Sequence, residues 1–209
     1  MLRFMMIFLI LTVCVAVLTG EPKAASPKMV GARVECHGKL HRRQMSMGGE
    51  TTGTIVGFNG IIWELKLPDD DARKFADQHD KKPVTVVGTL RCIAGTERKT
   101  RWIVDVTHLT DRNPKAVQEG ATMTVEGILQ KGSAAEGKAP LLSIVADGVT
   151  WPLDTSENKE LRLKAESLTA KTVLVSGKVD HLAERVYPLK LKLSPETLEV
   201  APTKTARLR

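Results

Sequence analysis

Two clusters of cations are the residues whose types and spacing could do chemistry. His41-Arg42-Arg43 leads into Gln44-Met45-Ser46-Met47-Gly48-Gly49, and Arg98-Lys99-Thr100-Arg101 forms a second basic run. Side chains of this kind attract phosphate, sulfate and carboxylate groups. His41, Arg42, Arg43, Arg98, Lys99 and Arg101 are therefore the candidate ligand-binding set. Metal and catalytic readings find less. Cys36, His37 and His41 come near a zinc-ligand spacing, yet no C-x-x-C accompanies them, and strand alternation sends Cys36 and His37 to opposite faces. His79, His108 and His181 stand alone in the sequence. Asp69-Asp70-Asp71 precedes a helical stretch, where capping and compensation of the helix dipole account for acidic residues. With no G-x-S-x-G, H-E-x-x-H or P-loop, the sequence points to binding without catalysis, metal or cofactor.

Short strands must position these residues. Aromatics make up only 4% of the 209 residues, and β-branched runs alternate with Gly, Asn and Asp, which favours small all-β domains. An internal repeat organises them. Val84-Thr85-Val86-Val87-Gly88-Thr89-Leu90 matches Val173-Leu174-Val175-Ser176-Gly177-Lys178-Val179 at an offset of 89, and Asn59-Gly60-Ile61-Ile62-Trp63-Glu64-Leu65 matches Asp147-Gly148-Val149-Thr150-Trp151-Pro152-Leu153 at 88. A third match, Val34-Glu35-Cys36 with Val125-Glu126-Gly127, has an offset of 91. Asn-Gly and Asp-Gly between apolar runs are strong signals for a two-residue hairpin turn. The first repeat then reads as strands at 30–41, 52–58, 61–67, 84–91 and 101–109, with a helix after Asp69. The second reads as strands at 122–130, 141–146, 149–154, 172–179 and 186–193, with a helix at 157–167. Pro188 makes its last strand an edge or a strand start.

This β-β-β-α-β-β order, the V-x-V-x-G-x-[LV] strand and the [ND]-G-x-x-W-x-L hairpin resemble the OB fold, and the whole resembles tandem OB-like domains of exported bacterial proteins. The resemblance implies two five-stranded Greek-key barrels. It also implies that the loops after strands one and four project at the same end of the first barrel, bringing the two cation clusters into one basic rim. In a closed barrel of this kind strand one lies beside strand four, so Cys36 and Cys92 are expected to form a disulfide, with two buried free thiols as the alternative. Base-stacking aromatics are missing, because strand alternation turns Trp63, Trp102 and Trp151 inward and leaves Phe58, Phe75 and Tyr187 scattered. That argues against nucleic acid as a partner.

Near its start the chain carries one basic residue, Arg3, and an apolar run from Phe4 to Leu18, the pattern of a signal peptide or N-terminal anchor over residues 1–25. Leu11-Thr12-Val13-Cys14 departs from a lipobox at Val13. The expected organisation continues with barrels at 28–110 and 120–200, a linker at 111–119 and a tail at 201–209. The net charge of +7 is spread evenly: residues 28–111 hold 14 Lys and Arg against 11 Asp and Glu, and residues 112–209 hold 15 against 12. The expectation is an exported, periplasmic or secreted binding protein, touching the membrane only if its N-terminal segment stays uncleaved. Its first barrel would offer the basic rim to an acidic glycan, a surface lipid or an acidic cell-envelope protein. The alternatives are an assembly module using barrel faces, and an exported nucleic-acid binder. The oligomeric state is left open.

Overall fold

Alternation of buried and exposed residues builds each strand and decides which side chains face a core. In β1 (Ala32–Arg42), Ala32, Val34, Cys36 and Leu40 are buried while Arg33, Glu35 and Lys39 are exposed. β2 (Thr54–Phe58) and β3 (Ile61–Lys66) follow the same period and bury Val56, Phe58, Ile61, Trp63 and Leu65. Asn59 and Gly60 both have positive φ, 43° and 77°, as a tight turn of this hairpin kind requires. α1 (Asp70–Gln78) starts at Asp69, whose carboxylate accepts the Ala72 N–H at 2.8 Å. β4 (Pro83–Ile93) and β5 (Arg101–Asp111) complete the first half. The computed structural model describes residues 32–45, 50–96, 100–132, 141–181 and 191–201.

Backbone ladders close these five strands into a barrel. β1 pairs with β2 through its C-terminal half and with β4 through its N-terminal half, β2 pairs with β3, β4 with β5, and a parallel β3–β5 ladder joins the ends. The parallel closure and the helix between strands three and four define an OB-like fold. A second ring of ladders runs through β6 (Gly120–Lys131), β7 (Leu142–Ala146), β8 (Val149–Leu153), β9 (Thr172–His181) and β10 (Leu191–Val200), with α2 (Lys159–Ser167) between β8 and β9. Among the described residues one helix therefore sits in each half. β10 lies at 191–200 rather than 186–193, and it bulges between Pro195 and Thr197 because proline cannot donate to the ladder. Pro188 lies outside the described residues.

The ladders also correct the alignment of the repeats. Val34 is opposite Gly88, and Met123 is opposite Gly177, the counterpart of Gly88. Val34 thus corresponds to Met123 at an offset of 89, not to Val125 at 91. The cause is Gly38 and Gly127, which occupy equivalent crossings: a Cβ on Gly38 would lie 2.5 Å from the Gly57 carbonyl oxygen, and one on Gly127 2.5 Å from that of Val145. Only glycine lets β1 and β6 pass so close to the next strand.

The two rings meet edge to edge. β1 and β6 form a five-pair antiparallel ladder from Arg33–Thr124 to His37–Gly120, so all ten strands belong to one sheet. Trp102, half-buried at the start of β5, packs its ring 5.0 Å from that of Trp151 in β8. The intervening segment is tied down as well: Arg112 is 7% exposed, donates its N–H to the Pro83 carbonyl at 3.2 Å, and reaches the Val117 carbonyl at 3.0 Å.

The expected disulfide does not form. Both cysteines are free, Cys36 fully buried and Cys92 half-buried. Their shared inward parity holds, but Cys36 is opposite Val86, six residues short of Cys92 along β4. At about 3.3 Å per residue that separates them by roughly 20 Å, far beyond a disulfide's reach. Burial, and secondarily the Glu35 carboxylate, pushes the Cys36 thiol well above its ordinary range, so it serves as a small apolar core residue.

Candidate functional site

The cations picked out from the sequence fall into three groups. Arg42 is turned toward α1: its Nε donates to Asp77 Oδ1 at 2.9 Å, its guanidinium to Thr54 Oγ1, and its backbone N–H to Asp80 Oδ1 at 2.8 Å. The hydrogen bond from Arg42 holds the Asp77 carboxyl below its usual range. Arg101 donates two parallel bonds to Glu64, at 2.8 and 2.7 Å, with both side chains largely buried. That pairing raises the Arg101 pKa above its ordinary value. These two arginines therefore tie down a helix and a sheet rather than facing outward. His41 and Arg43 do face outward, His41 half-buried at the end of β1 and Arg43 exposed with φ 56°. Arg98 and Lys99 lie outside the described residues.

The loops after β1 and β4 do converge. Glu50 accepts the Thr96 N–H at 2.8 Å and its hydroxyl, and Glu64 accepts the Thr52 N–H at 2.9 Å as well as Arg101. Among the described residues of these loops, carboxylates thus stand beside the cations of the expected rim.

Residues missed from the sequence make a different surface. On the outer face of the β1–β2–β3 sheet, Lys39 is opposite Gly57 and His41 opposite Ile55, with Ile62 beyond Gly57 on β3. Ile62 is 56% exposed, and Lys39 and Lys66 are exposed. Lys39, His41, Gly57, Asn59, Ile62 and Glu119 line a shallow depression of about 310 Å³ there. The signal was available: strand parity opposite the buried Leu40 and Trp63 puts Lys39 and Ile62 outside. Two of the histidines read as isolated have structural or seam contacts. His79 stacks on Phe75 and reaches Asp111 at 2.7 Å, and the His181 ring lies beside Gly60 of the other ring, 3.8 Å from where a Cβ on that glycine would stand. His37, outward from β1, meets Thr85 Oγ1 at 3.0 Å.

No family model matches the sequence, and no curated protein matches it. Solved structures do. The single-stranded DNA binding protein of Thermus aquaticus, as a deletion mutant with an added point substitution, aligns over 85% of this chain and 98% of its own, with a TM-score of 0.52 and 14% identity. The wild-type protein from the same organism aligns over 85% and 96%, with a TM-score of 0.50 and 13% identity. The likeness is one of fold, and it spans both rings. It overturns the expectation of a binder of acidic glycan, lipid or protein, and with it the exclusion of nucleic acid. Interior tryptophans were the ground for that exclusion, yet the fold shared over most of the chain is that of proteins described as binding single-stranded DNA.

Proposed function

We propose that this chain is a non-enzymatic binder of single-stranded nucleic acid built from two tandem OB-like domains, residues 28–110 and 120–200 joined by 111–119. The outer face of β1, β2 and β3 carries the reading. It presents Lys39, His41 and Lys66 to the phosphate backbone around the exposed Ile62, on the sheet face that OB folds use for oligonucleotides. The solved structures that align with both rings, described as single-stranded DNA binding proteins, support it. Because Trp63 and Trp151 are interior, bases would rest on Ile62 and His41, and affinity would lean more on charge than on aromatic stacking. The apolar run Phe4 to Leu18 supports an exported site of action.

The test is fluorescence anisotropy with a labelled oligothymidylate of about 30 nucleotides, enough for two barrels. Saturable binding at low salt that weakens steeply as salt rises is the expected result. No binding at low salt would overturn the reading.

A further inference from the structure

The two rings share a fold but not a surface. Strand register pairs each residue of the depression with its counterpart: Lys39 with Ile128, His41 with Gln130, Gly57 with Val145 and Ile62 with Thr150, since Lys39–Gly57 and Ile128–Val145 are equivalent pairs. In the first ring the floor is bare, because a Cβ on Gly57 would meet only the Ile61 carbonyl oxygen, at 4.0 Å. In the second ring the same place is filled by the Val145 side chain, and the flanking cation is replaced by Ile128, 49% exposed. Lys66, exposed and 4.0 Å from Asp105, is likewise replaced by an acidic residue, Asp154, which is paired with Lys192 at 2.7 Å.

We propose that the first ring alone holds a nucleotide at this face, in the depression between Lys39 and Ile62, and that the second ring's matching face takes none. The inference rests on the reading of the chain as a single-stranded nucleic-acid binder. A base lies flat over Gly57 against Ile62, where no side chain stands in its way. Its phosphates run along the Lys39 and His41 side, drawn by the exposed Lys39 ammonium. Glu119 ends the segment that joins the rings, is paired with Arg112 at 3.5 Å, and accepts at its carbonyl from Asn59 Nδ2 at 3.4 Å, so that segment supplies one wall of the first ring's site.

The matched exposed positions give the experiment. Ile62→Glu and Thr150→Glu place the same charge at equivalent points of the two rings, and anisotropy with the labelled oligothymidylate is read for each in the full chain, alongside thermal unfolding. Ile62→Glu is expected to weaken binding at least about tenfold, and Thr150→Glu less than about twofold, as charge in and out of a phosphate path dictates. Gly57→Val, which gives the first ring the second ring's floor and whose Cβ would meet only the Ile61 carbonyl oxygen at 4.0 Å, is expected to weaken binding with unfolding unchanged. Equal losses from the two glutamates, or full affinity in Gly57→Val, would overturn the inference while the parent chain still binds. A parent chain that does not bind would remove both readings together.

Discussion

Val34 of β1 faces Met123 of β6, and the two hold the same position in their rings, each also opposite a glycine, Gly88 and Gly177. The junction between the halves is therefore self-complementary, as in a two-fold dimer. The flanking pairs obey the same symmetry, Arg33 opposite Thr124 and Glu35 opposite Thr122. An isolated first ring would expose this edge of β1 and could pair with a copy of itself in the same register. Arg33 would then face Glu35 of the copy twice, a favourable cross-strand pair. Residues 28–112 are expected to sediment as a dimer, and Arg33→Glu in that fragment as a monomer. A monomeric parent fragment would contradict this.

The bidentate Arg101–Glu64 pair sets stability and affinity against each other. Glu64→Gln is expected to cost about 1 to 2 kcal/mol in urea unfolding, since a largely buried charged hydrogen bond is weakened and an N–H from Thr52 loses a charged acceptor. The same substitution removes a negative charge from the binding face and frees Arg101. Oligonucleotide affinity should rise severalfold, and a fall would place Arg101 away from the phosphate path.

Asp154 governs the acid response of the second ring. Hydrogen bonds from Lys192, then from the Ser156 hydroxyl and N–H, hold its pKa at about 2, against about 3.9 in an unfolded chain. A depressed folded pKa contributes stability that is fully present above the unfolded value and is lost as pH falls through the folded one. Stability should therefore drop between about pH 4 and pH 2. Asp154→Asn should be less stable at neutral pH and show a shallower drop across that window. An unchanged profile would mean that the Lys192 contact is not held in solution.

The cysteines provide a check on register. If Cys36 is opposite Val86, the protein unfolded without reductant should take up alkylating reagent at both Cys36 and Cys92, and in the folded protein Cys92 should react well before the buried Cys36. A mass showing the two joined would require β1 to be shifted along β4.

Local chemistry was legible in the sequence and long-range register was not. The Asn59-Gly60 and Asp147-Gly148 turns, the inward Trp63 and Trp151, and the Asp69 cap depend on neighbours a few residues away, and each is found where the spacing places it. The disulfide failed because strand parity says which face a thiol takes but not how far along the ladder it lies. Misaligning Val34 with Val125 had the same cause, since a two-residue slip keeps every side chain on its own face. Arg42 and Arg101 are drawn away from the expected rim because Arg42 meets Asp77 from 35 residues away and Arg101 meets Glu64 from 37, pairings that no local pattern announces. Lys39 and Ile62 were readable from parity but lack a motif.

Preference for single strands over duplex is measured by competition. A labelled single-stranded oligonucleotide of about 30 nucleotides is bound to the full chain and displaced by unlabelled single strand or by the duplex of the same sequence. The face around Gly57 and Ile62 receives an unstacked base, which a duplex does not offer. The single strand should therefore compete at least about tenfold better than the duplex. Equal competition by both, or better competition by the duplex, would contradict the account.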